Sequence, residues 1–238
     1  MSSPIASSSP SLASPPVTLG YWRIRGLAAH IRMLFEFLDV PFVDVAYTQG
    51  GPPEFSRAEW LAVKHTLPLS FPNLPFLLDG DVKITQSVAI FNYVAKKYGP
   101  AHADRLHLPK TLLEETEHDM LLHVAADFAD AIASVAYSPH YDALLPEFQR
   151  SVLPAWLDQL TRFLAAKTFL LGGDRPSPVD FFLFELLDRS VLQVPSALSA
   201  FPTLAAYHGR VKTLPHLRRY FTSAAASWPI NNTVARFR

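Results

Sequence analysis

Ser70-Phe-Pro-Asn-Leu-Pro-Phe-Leu-Leu-Asp-Gly-Asp-Val-Lys-Ile-Thr-Gln-Ser87 is the stretch from which the fold can be read. The apolar run Pro75–Leu78 predicts a strand, Asp79-Gly80 a hairpin turn, and the alternating Val82–Thr85 a second strand. Gln86-Ser87 opens a helical run, Val88–Tyr98, with Ser87 placed as its N-cap. A helix N-terminus at a strand's end presents unpaired N–H groups that suit a carboxylate or phosphate. Pro75 implies that this strand lies at a sheet edge or begins at that residue, because proline removes a ladder donor. An open edge there would suit an extended, peptide-like ligand.

Upstream, Val17–Trp22 is rich in strand formers. It is followed by Ile24–Asp39, where Leu27, Ile31, Leu34, Phe35 and Leu38 recur at helical spacing. Pro41 stops that helix, and Phe42–Tyr47 alternates as another strand. Strand, crossover helix and strand predict a right-handed parallel βαβ unit. With the hairpin and the helix after it, the layout is βαβ-ββα, an α/β domain over 17–100. Downstream the pattern changes to all-α over 108–230. Helices are expected at Leu112–Tyr137 and Leu153–Lys167, with Pro146 and Pro154 breaking or bending the chain between them. Ser177-Pro178-Val179-Asp180 has the form of a capping box and launches Phe181–Leu192. Shorter helices are expected near Leu204–Lys212 and Leu217–Ala226, then an irregular tail, 231–238.

Composition narrows the classes of function. In 238 residues, 21 acidic and 21 basic side chains balance, which argues against a nucleic-acid or anionic-membrane partner. The absence of cysteine excludes disulfides, cysteine metal sites and a protein thiol nucleophile, so any sulfur chemistry must use the substrate's sulfur. The longest apolar candidate, Phe181–Val194, is interrupted by Glu185, Asp188 and Arg189 and is no membrane span. Residues 1–16 hold seven serines and four prolines and are expected to be disordered, with the features of a signal peptide missing. His118 and His123 lie five apart and do not share a helix face, so no metal is expected.

The motifs Gly-Tyr-Trp-Arg-Ile-Arg-Gly-Leu-Ala (20–28), Tyr-Thr-Gln-Gly (47–50), Phe-Pro-Asn-Leu-Pro (71–75) and Lys-Ile-Thr-Gln-Ser (83–87) occur in order. Through them the chain from Val17 onward resembles the cytosolic glutathione transferases, most of all the mu class. Tyr137-Ser138-Pro139 and Val179-Asp180-Phe181 agree more weakly. The resemblance implies a thioredoxin-like N-terminal domain followed by an all-helical domain, with glutathione as co-substrate. It also implies a cytoplasmic homodimer and conjugation of glutathione to small hydrophobic electrophiles. Tyr21 falls where the family places the hydroxyl that stabilises the thiolate. Trp22, Asn73, Leu74, Pro75, Gln86 and Ser87 fall on the glutathione contacts, and Arg57, Trp60 and Lys64 on those around the glycyl carboxylate. A cis Leu74–Pro75 bond is implied, as is Asp127 reaching the other subunit's glutathione. Phe71 matches the dimer anchor. Ile24, Leu27, Asp130, Ser134 and Tyr137 fall on the electrophile pocket, where Asp130 and Ser134 depart from the family's apolar pattern. A non-catalytic carrier or structural protein of the same fold, and a glutathione-dependent isomerase or peroxidase, are the other classes compatible with these motifs.

Overall fold

The computed structural model describes residues 16–238, so the disorder expected for residues 1–16 lies, for all but Pro16, outside the described residues. The first half contains β1 (Thr18–Trp22), α1 (Ala29–Phe37), β2 (Val43–Tyr47) and α2 (Ala58–Val63). It continues with β3 (Phe76–Asp79), β4 (Val82–Thr85) and α3 (Ser87–Tyr98). The sheet runs β2-β1-β3-β4, with β1 parallel to β2 and both other pairings antiparallel. This is a thioredoxin-like arrangement. Leu19, Ile31, Leu34, Phe35, Leu77, Ile90 and Phe91 are fully buried in its core. Asp79 ties α3 back to the sheet by accepting from Tyr93, Lys97 and Tyr98 at 2.9, 2.6 and 2.6 Å.

Three local expectations change. β3 lies inside the sheet, so Pro75 immediately precedes a central strand and no open edge exists along β3 itself. Asp79 pairs with Val82, which makes Gly80-Asp81 the two-residue hairpin loop. Gly80 takes φ +59 there, a conformation that favours glycine. The segment 24–39 is a 3₁₀ turn, Gly26–Ala28, followed by the shorter α1, because Gly26 at φ +37 cannot continue a right-handed helix.

The second half is helical, with no strand among the described residues after Thr85. α4 (Leu112–Ala136) starts at a capping box in which Thr111 accepts the Glu114 N–H. Pro146 does not stop α5 (Tyr141–Glu147); a π-helical turn, Phe148–Val152, carries the chain into α6 (Leu153–Leu164). Pro154 sits in the first turn of α6, where no intrahelical N–H is needed. The capping box at Ser177 is present. Asp180 accepts from the Ser177 N–H at 2.7 Å and Oγ at 2.6 Å, and also from the Leu170 N–H and the Tyr207 hydroxyl. It starts α7 (Pro178–Gln193), which packs against α1 and α4. α8 (Pro202–Lys212) follows. The last expected helix is instead α9 (Arg218–Phe221) between 3₁₀ turns at Pro215–Leu217 and Ala224–Ser227. Ser223 is extended, and Ala224–Ser227 offers no apolar stripe that a longer helix could bury.

Candidate functional site

Strand register gathers the chemistry at one end of the sheet. Gly20 pairs with Phe76 and Phe76 with Thr85. One residue further along each strand, Tyr21, Pro75 and Gln86 therefore come into line. Close approach at this point needs Gly20, since a Cβ there would lie 2.1 Å from the Phe76 ring.

Tyr21 is buried, and its hydroxyl accepts the Leu27 N–H at 3.0 Å. Its own hydrogen has no acceptor among the described residues, so it is free to be donated. Burial pushes the hydroxyl's pKa up, and the Leu27 bond, Arg189 and Arg32 pull it back in part. The phenol therefore stays protonated at neutral pH. Gly26 makes the arrangement possible, because a Cβ on it would lie 2.7 Å from the Tyr21 oxygen. The Gly26 carbonyl is held by Arg189 from α7.

The Leu74–Pro75 bond is cis, and Asn73 Oδ1 accepts the Leu74 N–H at 2.9 Å. Gln86, not Ser87, is the N-cap of α3; Ser87 is the first helical residue. The difference arises because Gln86 holds φ +75, which turns the chain into the helix one residue early. Neither side chain caps the helix, so the first N–H groups of α3 remain open at the site. A non-glycine residue at such a φ is uncommon and clusters at ligand clamps.

Arg57 is the N-cap of α2 and Lys64 its C-cap. Arg57 is exposed and Lys64 half-buried, and neither forms an ion pair among the described residues. Trp60 between them is buried, its ring 5.5 Å from Tyr47 and 6.1 Å from Phe76. It anchors α2 to the sheet while the two cations face outward. Trp22 ends β1, half-buried, opposite Tyr47.

Asp127, Asp130 and Ser134 on α4 and Tyr137 at its C-cap are all exposed and, at 100° per residue, fall within about 80° of one face. Tyr137 accepts the Asn232 N–H at 3.0 Å, and Ser134 bonds back to the Ala131 carbonyl at 2.9 Å. Leu27 is part-exposed and Ile24 buried. Among the described residues no hydrogen bond joins Asp127 to Gln86 or Ser87. Phe71 stands 79% exposed.

Several participants carried no sequence signal. The tail crosses the cleft: Thr233 Oγ1 donates to the Gly50 carbonyl at 2.6 Å and to Gln49 Oε1 at 3.0 Å, and the Arg236 N–H donates to the Ala136 carbonyl. It encloses a 210 Å³ cavity with Arg23, Ile24 and Tyr47. Beneath Gly26, Glu185 binds Arg25 at 2.6 Å and Arg189 at 2.8 Å, while Asp188 binds Arg25 at 2.7 Å and His208 at 3.1 Å. Among the described residues no group of three potential ligands could hold a metal ion. The arrangement suits a peptide-like anion with a nucleophilic atom at Tyr21.

Two family models match, the glutathione S-transferase N-terminal domain over residues 17–96 and its C-terminal domain over 126–224. Rabbit (Oryctolagus cuniculus) glutathione S-transferase Mu 1 is 38% identical over 209 residues, covering 88% of this chain and 92% of that protein. Human (Homo sapiens) glutathione S-transferase Mu 2 is 37% identical with the same coverage. Among solved structures, the pi-class enzyme of Onchocerca volvulus superposes with a TM-score of 0.79 at 30% identity, over 93% of this chain and 100% of that one.

Proposed function

The chain belongs to the glutathione S-transferase family, of the mu class, and from that premise we propose that Tyr21 holds the sulfur of glutathione as a thiolate. The enzyme conjugates glutathione to small electrophiles. A free thiol has a pKa of about 8.5, and only its thiolate is strongly nucleophilic. A hydrogen bond donated to the charged sulfur favours that form. The observation that carries this reading is the Tyr21 hydroxyl itself, which is protonated, fixed by Leu27 and still has its hydrogen to give. The thiolate attacks an electrophilic carbon, a C–S bond forms, and the leaving group departs with the electron pair.

The rest of glutathione follows the open backbone. Leu74 pairs with the cysteinyl unit just beyond β3, next to Pro75, with Asn73 and Trp22 beside it. Gln86 and Ser87 receive the γ-glutamyl carboxylate at the open N-terminus of α3. Arg57 and Lys64, on the α2 that Trp60 anchors, hold the glycyl carboxylate. Residues 17–100 supply this half, and the helical residues 108–230 supply the wall of the electrophile pocket. Ile24 and Leu27 give its apolar floor, and Asp130, Ser134 and Tyr137 its polar side. The unit acts as a homodimer in which Asp127 reaches the neighbour's glutathione.

The decisive experiment passes the protein over immobilised glutathione and then assays a small aryl halide. Retention with saturable turnover is expected. Retention without turnover would replace the enzyme by a carrier.

A further inference from the structure

Arg189 on α7 is a buried cation, 5% exposed, beside the hydroxyl of Tyr21. Its guanidinium divides between two acceptors. Nε donates to Glu185 Oε1 at 2.8 Å, and a terminal nitrogen donates to the Gly26 carbonyl. That carbonyl and the Leu27 N–H are the two ends of a single planar peptide group. The N–H end donates to the Tyr21 hydroxyl at 3.0 Å. A cation on the oxygen of an amide draws electron density toward itself and makes the N–H a stronger donor. Buried hydrogen bonds in series polarise one another in this way. One unbroken line thus runs from Arg189 through one peptide group to the Tyr21 oxygen.

A neutral donor would hold the Gly26 carbonyl equally well, and burying a charge is costly. The groups facing Arg189 are Glu185 on its own helix, His30 on α1, Tyr21 on β1 and Tyr137 at the C-cap of α4. Glu185 also receives Arg25 at 2.6 Å, so its negative charge is shared between two guanidinia. Burial, with Arg189 and Arg32, keeps His30 neutral. Burial raises the pKa of both phenols, and Arg189 is among the groups that lower each. The positive end of the cluster is therefore turned toward the hydroxyl of Tyr21.

Resting on the reading of Tyr21 as the thiolate's donor, we propose that Arg189 is a positioning residue for that donation. Its charge, passed through the Gly26–Leu27 peptide group, strengthens the hydrogen bond from Tyr21 and raises the share of bound glutathione held as thiolate.

Ultraviolet titration of bound glutathione in the full chain tests this. Arg189→Gln keeps an amide donor for the carbonyl and loses the charge. It should raise the thiol's pKa by about half a unit, a roughly threefold loss of thiolate at pH values below both. Arg189→Lys keeps the charge and should lie nearer the wild type. With Tyr21→Phe already present the path is broken, and adding Arg189→Gln should shift the pKa no further. If Arg189→Gln does not fold, the double variant Glu185→Gln/Arg189→Gln takes its place in each comparison. It removes both charges together, and Arg25 keeps Asp188 at 2.7 Å. An unchanged pKa in the folded glutamine variant, an equal shift in the Tyr21→Phe background, or a lysine variant that matches glutamine would each overturn the proposal and leave Tyr21 as the donor. An unshifted pKa in Tyr21→Phe alone would withdraw that role from Tyr21, and the proposal with it.

Discussion

The oxygen of Tyr21 accepts from the Leu27 N–H, which fixes the phenol's direction, and its hydrogen has no acceptor among the described residues, as the proposed donation to a thiolate requires. Tyr21→Phe removes the donor and keeps the ring. A hydrogen bond to a charged group is worth about 1.5–3 kcal/mol, so turnover should fall roughly ten- to a hundredfold while glutathione affinity changes much less. An ultraviolet titration of the bound thiolate should show a higher pKa in the variant; the same pKa in both proteins rules out the assignment. His30 is the residue whose chemistry shows at low pH. It is fully buried, stacked on Phe182 with ring centres 4.0 Å apart, and neither ring nitrogen has a partner among the described residues. Burial, with Arg189 and Arg32 nearby, lowers its pKa to about 3. In the unfolded chain it titrates near 6.5, so between these values only the unfolded state takes up the proton. Stability is therefore full above about pH 6.5 and falls toward pH 3 by up to about 1.4 kcal/mol per pH unit from this group alone. His30→Leu should flatten the loss between pH 7 and pH 5 in urea denaturation. An identical loss in the variant would assign it to other groups.

Among the elements, α7 has the largest structural task. Its N-terminus is fixed by Asp180, and one turn beyond, the fully buried Glu185 receives Arg25 from the loop after β1 and Arg189 from its own helix. Arg189 in turn holds the Gly26 carbonyl, next to the Leu27 N–H that orients Tyr21. The loop that orients Tyr21 is thus supported by charges in the helical half. Glu185→Leu would leave Arg189 buried without a carboxylate. Breaking a buried pair from one side costs about 3–5 kcal/mol. Equilibrium unfolding should show that loss, and turnover of the folded fraction should fall too; a change below about 1 kcal/mol would mean that Asp188 compensates. The cluster of Arg25, Glu185 and Arg189 was not legible in the sequence. Arg25 and Glu185 stand 160 residues apart, and each read alone is a solvated charge on a helical or loop segment. The βαβ-ββα order and the capping box at Ser177 were legible, because periodicity and capping chemistry are local. The cis Leu74–Pro75 bond was legible too, though only through the family resemblance. The helical turn through Pro146 was not, since the surrounding packing outweighs the proline's local preference. Nor was the course of the tail, whose contacts at Gly50 and Ala136 are made by backbone carbonyls that no side chain announces.

On the scale of the whole molecule, one exposed side chain bears on the proposed homodimer. Phe71 is 79% exposed on the segment before β3, where its carbonyl accepts from Thr85 and holds the backbone in place. A large aromatic on a fixed backbone loses little entropy when it enters a partner, which suits an anchor. Leu121, Phe128 and Leu160 pack together between α4 and α6, buried within the subunit, and we propose that Phe71 enters the other subunit at the edge of this cluster. A closed two-fold dimer makes that contact twice. In the proposed dimer Asp127, exposed and without an ion pair among the described residues, reaches the neighbour's site from α4. Truncating a buried aromatic anchor costs about 2–4 kcal/mol. Two anchors per dimer put the dissociation constant of Phe71→Ala up by roughly three to six powers of ten. At micromolar concentration the wild type should sediment as a dimer and the variant as a monomer. Because a monomer lacks the partner's Asp127, the variant should also bind glutathione more weakly, whereas Asp127→Asn should weaken binding and stay dimeric. A monomeric wild type would overturn the assembly. A dimeric Phe71→Ala would move the anchor elsewhere, and unchanged glutathione affinity in a monomeric Phe71→Ala would return Asp127 to the role of a solvated helix residue.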